Sequence, residues 1–199
     1  MKKSILWVIA AISFLAPRAQ VNFGVKTGFN LANATGSGAA GSSTRANFHA
    51  GVLAQIFMTD ALSIQPEVLY SGQGARVDFA DGSGGTISGT HKLDYINLPL
   101  LLKYTASSGF LVETGPQIGF LISANASVSG INEDEKDNFK STDFSWVFGI
   151  GYMSLINVGL DARYNLGLTN IENPGSSGTV KNSVIQIGVF YRFGEPKKR

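Results

Sequence analysis

A two-residue alternation of apolar and polar side chains recurs along this chain and limits what it can fold into. Successive side chains of a β-strand point to opposite faces, so this period marks strands with one apolar face. The alternating segments are 21–32, 48–57, 62–71, 93–104, 110–123, 142–152, 158–169 and 183–193. No segment has the length and 3.6-residue period of an amphipathic helix. The pattern predicts an all-β protein of eight strands.

The connections between these segments alternate in length. Those at 33–47, 72–92, 124–141 and 170–182 are long, whereas those at 58–61, 105–109 and 153–157 are short. Transmembrane β-barrels have short turns on one side of the membrane and long loops on the other. Three prolines inside segments, Pro66, Pro99 and Pro116, cannot donate to a ladder and predict local bulges or strand ends.

The composition of the polar face distinguishes two kinds of barrel. A soluble calyx turns its apolar face inwards, whereas a membrane barrel turns it towards lipid. Here the polar face is mostly Gly, Asn, Ser and Gln, and only 15% of the chain is charged where about 25% is usual. Aromatic side chains gather towards segment ends of the apolar face, as in interfacial girdles. We therefore expect an eight-stranded antiparallel up-and-down transmembrane β-barrel, with the soluble calyx as the alternative.

The charged residues of the polar face are predicted to lie inside this barrel, where each needs a partner. They are Lys26, Lys103, Arg163 and Arg192, together with Glu67, Glu113, Asp143 and Asp161. Four positive and four negative charges cancel, which favours a structural charge cluster. The same residues would line the pore if the barrel conducted solutes, but side chains fill the lumen of most eight-stranded barrels.

Three regions are predicted along the chain. Residues 1–19 have a basic start and a short apolar run, as in a secretory signal peptide. Residues 20–194 form the barrel, and residues 195–199 form a short basic tail. A barrel with short turns beside its termini places both termini in the periplasm.

Composition excludes several chemistries. The chain has no Cys and two His, so neither a thiol nucleophile nor a multi-histidine metal site is expected. We expect no catalytic residues, no cofactor and no metal. The net charge of +2 does not favour nucleic acid as a partner. His49 is predicted to point into the barrel and His91 to lie at the end of a loop, and no nucleophile motif accompanies either.

Several stretches resemble one family of bacterial proteins. They are FGVKTGFNL at 23–31, IQPEVLYSG at 64–72, YINLPLLLKY at 95–104, GPQIGFLIS at 115–123, FGIGY at 148–152 and ARYNLGLT at 162–169. In this order they resemble the PorT-like or "porin family" of outer-membrane proteins, with a barrel similar to those of OmpA and OmpX. The resemblance implies an eight-stranded barrel in a Gram-negative outer membrane, and the founding member is associated with protein secretion.

These observations lead to a functional hypothesis. We expect a non-enzymatic scaffold or interaction protein of the outer membrane, whose long loops carry its specific role, as an accessory to protein secretion or alone. Its expected partners are outer-membrane lipid, the barrel-assembly machinery and other envelope or secretion proteins. A narrow porin for small solutes is the main alternative, and a lipid A-modifying enzyme that uses His49 is a less favoured one.

Overall fold

The computed structural model describes residues 20–80, 86–128, 131–173 and 178–194. The predicted signal peptide, residues 1–19, and the predicted tail, residues 195–199, lie outside the described residues. Within the described ranges, no helix is both long enough and apolar enough to cross a membrane.

The described residues form nine antiparallel strands, eight of which close into a barrel. The strands are β1 (Val21–Thr35), β2 (Ser42–Phe57), β3 (Leu62–Ala80), β4 (Thr86–Thr105), β5 (Phe110–Val128), β6 (Ile131–Asp134), β7 (Thr142–Met153), β8 (Val158–Gly167) and β9 (Lys181–Arg192). Each barrel strand pairs with its neighbours in the chain, except that β5 pairs with β7. Pairing of β1 with β9 closes the ring. The predicted eight-stranded antiparallel barrel is confirmed.

The strands extend further than predicted at the long-loop end, which is the end opposite the short turns 58–61, 106–109 and 154–157. Pairing of β3 with β4 continues as far as Ala80 and Thr86, and β5 continues to Val128. Much of the expected loops 72–92 and 124–141 is therefore strand. The short β6 pairs only with the end of β5 and was missed.

The prolines do not end strands. Pro66, Pro99 and Pro116 all lie inside β3, β4 and β5. The irregularities in register fall instead between Thr44 and His49 and between Asp94 and Tyr95. The positions of the prolines were therefore wrong indicators of bulges in this barrel.

The two faces of the barrel wall differ as a membrane barrel requires. Phe29 is 74% exposed on the outer face, whereas its neighbour Asn30 is fully buried on the inner face. Large apolar side chains project outwards from every barrel strand, including Ile187 on β9 and Leu160 on β8. The polar face is thus the inner one, and the calyx alternative is wrong.

Apolar side chains close the lumen at both ends. The upper apolar layer, at the long-loop end, consists of Leu93, Tyr95, Leu121, Ala124, Ile171 and Val180. The lower apolar layer, at the short-turn end, consists of Leu53, Leu111, Met153 and Phe190. Polar and charged side chains fill the space between the two layers.

Candidate functional site

A network of six charged side chains occupies the middle of the lumen. Arg163 donates to both carboxylate oxygens of Glu67 at 2.7 Å, and its Nε donates to Glu113. Lys103 Nζ lies 3.0 Å from Glu113 Oε2, and Lys26 forms an ion pair with Asp161. Each of these six side chains is at most 1% exposed. Three cations thus balance three carboxylates away from water, as burial of charge demands.

Glycines on intervening strands allow two of these ion pairs to form. Glu113 on β5 and Arg163 on β8 both pair in register with Gly149 on β7, which lies between them. A Cβ atom at Gly149 would come within 2.8 Å of Glu113 Cγ and 3.1 Å of Arg163 Cγ. The two charged side chains therefore meet across the strand because that position carries no side chain.

The same arrangement recurs beside the seam where the barrel closes. Lys26 on β1 reaches Asp161 on β8 across β9, where Gly188 lies between them. A Cβ atom at Gly188 would lie 3.1 Å from both Lys26 Cε and Asp161 Oδ1. The ion pair therefore joins the two strands that flank β9.

Uncharged polar side chains extend the network on both sides. Gln65 accepts from Lys103 Nζ at 2.8 Å and donates to Glu67. Towards the long-loop end, Asn30 Oδ1 lies 2.8 Å from His49 Nδ1 and accepts from Gln186 at 3.0 Å. These amides were not singled out from the sequence, although each lies on the predicted inner face.

Two of the predicted charged residues lie in the lumen but apart from the network. Asp143 accepts hydrogen bonds from Asn182 and Thr169, each at 2.9 Å, nearer the long-loop end. Arg192 donates to Asn157 at 2.8 Å and lies over the ring of Phe57 at the short-turn end. The central network therefore contains six of the eight predicted residues: Lys26, Glu67, Lys103, Glu113, Asp161 and Arg163.

The two histidines lie in different surroundings. His49 is fully buried in the lumen, and its Nδ1 faces Asn30. His91 Nδ1 lies 2.8 Å from Glu135 Oε2 at the long-loop end. Among the described residues, no three His, Asp or Glu side chains are grouped to hold a metal ion.

Hydrogen bonds tie together the mouth loops, which are residues 36–41, residues 135–141 and the described part of 168–180. Gly38 N donates to Thr179 O at 3.1 Å. Lys140 N donates to Ile171 O at 2.7 Å, and the Asn173 side chain donates to Asp137 O at 2.7 Å. The described parts of these three loops are therefore connected to one another at the end of the barrel.

Known proteins share this architecture. The family model described as "Outer membrane protein beta-barrel domain" matches residues 16–173. Neisserial surface protein A is 20% identical, with a TM-score of 0.55 over 87% of this chain and 99% of that chain. This likeness shows a common fold.

Two further solved structures are similar to this chain at lower scores. Ail of Yersinia pestis is 15% identical, with a TM-score of 0.48 over 87% of this chain and 99% of Ail. OprG of Pseudomonas aeruginosa is 16% identical, with a TM-score of 0.43 over 88% of this chain and 97% of OprG. No curated protein matches the sequence.

Proposed function

Because this chain belongs to the outer membrane protein beta-barrel domain family, we propose that it is a non-enzymatic interaction protein of the outer membrane. The length of its strands carries this proposal. Strands β3, β4 and β5 contain 19, 20 and 19 residues, whereas about 9–11 residues cross a bilayer. About half of each strand therefore projects from the membrane at the long-loop end. We infer that the barrel is the anchor and that this projecting sheet, with the mouth loops, is the contact surface.

The contents of the lumen favour an anchor over a pore. A hydrated channel would have to pass the upper and lower apolar layers and the paired charges between them. Moving any of these charges away from its partner would leave the other charge buried and unpaired. These features support a closed barrel over the narrow-porin alternative.

The position of His49 supports a non-enzymatic role. An enzyme that modifies lipid A must bring its catalytic groups to the lipid, yet His49 is enclosed inside the barrel wall. Its Nδ1 contacts an amide oxygen of Asn30, whereas a general base in a catalytic triad is oriented by a carboxylate.

We further propose that the partner at the contact surface is another envelope protein. The resemblance to PorT-like proteins favours a component of a secretion machine. Outer-membrane lipid surrounds the apolar outer face, and the barrel-assembly machinery inserts the chain. The net charge of +2 does not favour nucleic acid as a partner.

A photoreactive amino acid placed on the projecting sheet tests the proposal. Arg76 is exposed near the end of β3, and Leu100 is exposed on the outer face of β4 within the apolar band. In intact cells, position 76 is expected to give a protein adduct of one defined mass, and position 100 is expected to give none. Such an adduct should also appear as a larger native particle in mild detergent.

One combination of results would overturn the interaction proposal. It is the lack of a protein adduct at position 76, combined with an ion-selective conductance in planar bilayers that changes in a Glu113→Gln variant. That combination would assign the network to a pore and would support the narrow porin.

We propose that the long-loop end faces the cell exterior, with the short turns and both termini in the periplasm. Because the chain has no Cys, a single introduced thiol reports one position. Ser43 is exposed near the start of β2, and Ser107 is exposed in a short turn. A polymer-linked maleimide too large to cross the outer membrane is expected to label Ser43→Cys on intact cells. It should label Ser107→Cys only after the membrane is permeabilised, and the reverse pattern would contradict this orientation.

A further inference from the structure

A cavity of about 260 Å³ lies at the long-loop end, between the upper apolar layer and the mouth loops. Its wall is mostly apolar, and includes Ala34, Ala75, Leu93, Phe139, Ile171 and Val180. This composition contrasts with the rest of the lumen, where amides and charges fill the space. Burial of an apolar group against an apolar wall is favourable, so such a cavity favours a group that fills it. A larger side chain at Ala75 would fill it, so the open space suits a ligand.

The charge on the wall of the cavity is negative. Glu172 is the charged residue among those that line the cavity, and the other polar side chains there are His91, Asn182 and Ser42. Among the described residues, no Lys or Arg lines this cavity. His91 also contacts the carboxylate of Glu135, and its ring meets the ring of Phe139 edge-on. The wall therefore offers an apolar surface with a negative charge and hydrogen-bonding groups.

Backbone geometry and hydrogen bonds fix the described part of the rim of the cavity. Gly36 and Gly178 have φ values of 116° and 115°, which favour glycine, at the point where two mouth loops meet. Thr179 N donates to Ser37 Oγ at 3.1 Å, and Phe139 forms a β-bridge with Glu172. A site that is formed beforehand does not lose binding free energy to ordering its loops.

We propose that this cavity binds a small amphiphilic amine: one aromatic ring or short aliphatic body that carries a single ammonium group. A dry cavity of about 150 Å³ accommodates benzene, so the larger volume here admits a ring with a short side chain. The apolar body lies against Leu93, Ile171 and Val180, and the ammonium group pairs with the carboxylate of Glu172. This binding site is separate from the protein contact proposed above and does not depend on it.

Three compounds of equal size and different charge test this assignment on the full-length barrel in detergent. They are 2-phenylethylamine as the cation, 2-phenylethanol as the neutral compound and phenylacetate as the anion. Calorimetric titration is expected to show a Kd of about 1 mM or lower for the amine, which is typical for a ligand of this size. The alcohol should bind more weakly, and phenylacetate should bind weakest of the three.

Two matched carboxylate variants separate a specific charge pair from general electrostatics. Glu172→Gln is expected to weaken binding of the amine about tenfold, as loss of one charge-assisted hydrogen bond would. Binding of the alcohol should be unchanged in that variant. Glu133→Gln, at an exposed carboxylate outside the cavity wall, should change neither. An unchanged ratio of amine to alcohol affinity in Glu172→Gln would overturn the assignment.

A variant whose larger side chain occupies the cavity tests whether the ligand binds there. Ala75→Leu is expected to abolish binding of both the amine and the alcohol while the barrel remains folded on an unheated gel. If that variant does not fold, Ala34→Leu places a side chain in the same cavity from β1. Retention of binding in the folded variant, or no binding of the amine to the unmodified protein, would refute the proposal. Either result leaves the photocrosslinking test of the contact surface unaffected.

Discussion

Replacing Arg163 with methionine is expected to destabilise the barrel by about 3–5 kcal/mol, the usual cost of breaking a buried ion pair by removing one partner. Arg163 is the cation that Glu67 and Glu113 share, and Asp161 lies 3.6 Å from it. Methionine replaces the aliphatic part of the arginine side chain and removes the charge, so the carboxylates remain buried with fewer partners. Urea titration in lipid vesicles, followed by the mobility of unheated protein on a gel, measures this loss.

The matched control for this variant is Arg76→Met, at an exposed position on β3. Surface substitutions of this kind change the free energy of unfolding by about 0.5 kcal/mol or less. Arg163→Lys should fall between the two, because lysine keeps the charge but lacks the forked donors that bind Glu67. An Arg163→Met barrel as stable as the Arg76→Met barrel would contradict a structural role for the network.

Adding one methyl group at Gly28 is expected to destabilise the closed barrel, because it overpacks the seam. Gly28 on β1 pairs with Gly188 on β9 at the seam and with His49 on β2. A Cβ atom there would lie 2.2 Å from Ile187 O, 2.5 Å from Gly188 Cα and 2.7 Å from His49 Cε1. Two of these are backbone atoms, which cannot move without disturbing the pairing of β1 with β9. The free energy of unfolding of Gly28→Ala, measured by the same urea titration, should fall by about 1–3 kcal/mol or more, which is the usual cost of overpacking.

Gly119→Ala is the matched control, at another glycine on the inner face. The nearest atoms to a Cβ there belong to side chains, Asn97 Oδ1 at 2.7 Å and Tyr95 Cδ1 at 3.2 Å. Because a side-chain amide can rotate, this variant should fold with a smaller loss. Equal folding of the two variants would show that the seam tolerates a side chain.

The barrel was predictable from the sequence because the bilayer imposes the alternation of apolar and polar side chains, which is the strongest pattern in the chain. Lipid requires apolar side chains on one face, and the crowded lumen favours small or polar ones on the other. Beyond the membrane that requirement ends, so residues 72–80 and 86–92 lose the alternation. Their backbones continue to pair nonetheless, as in Asp78 with Ser88. The extra strand length was therefore not predictable from side-chain pattern.

The candidate site was predictable in one respect only. Alternation indicates which face a residue occupies, and the structure places all eight predicted charged residues on the inner face. It does not indicate height along the lumen, because the strands are tilted and staggered in a closed barrel. Asp143 and Arg192 therefore lie at heights different from the network. The polar partners Asn30 and Gln65 were missed for a related reason, since uncharged amides on the inner face carry no distinguishing signal.

The two ion pairs that cross intervening strands have a consequence for how the barrel assembles. The six charges are supplied by five strands, β1, β3, β4, β5 and β8, which span the chain from its first barrel strand to its penultimate one. Lys26 belongs to the first strand and Asp161 to the penultimate one, so they meet only when β9 is in place between them. An open intermediate therefore holds unpaired charges that keep water in its interior. Pairing of β9 with both β1 and β8 therefore completes the charge network at the same time as the ring.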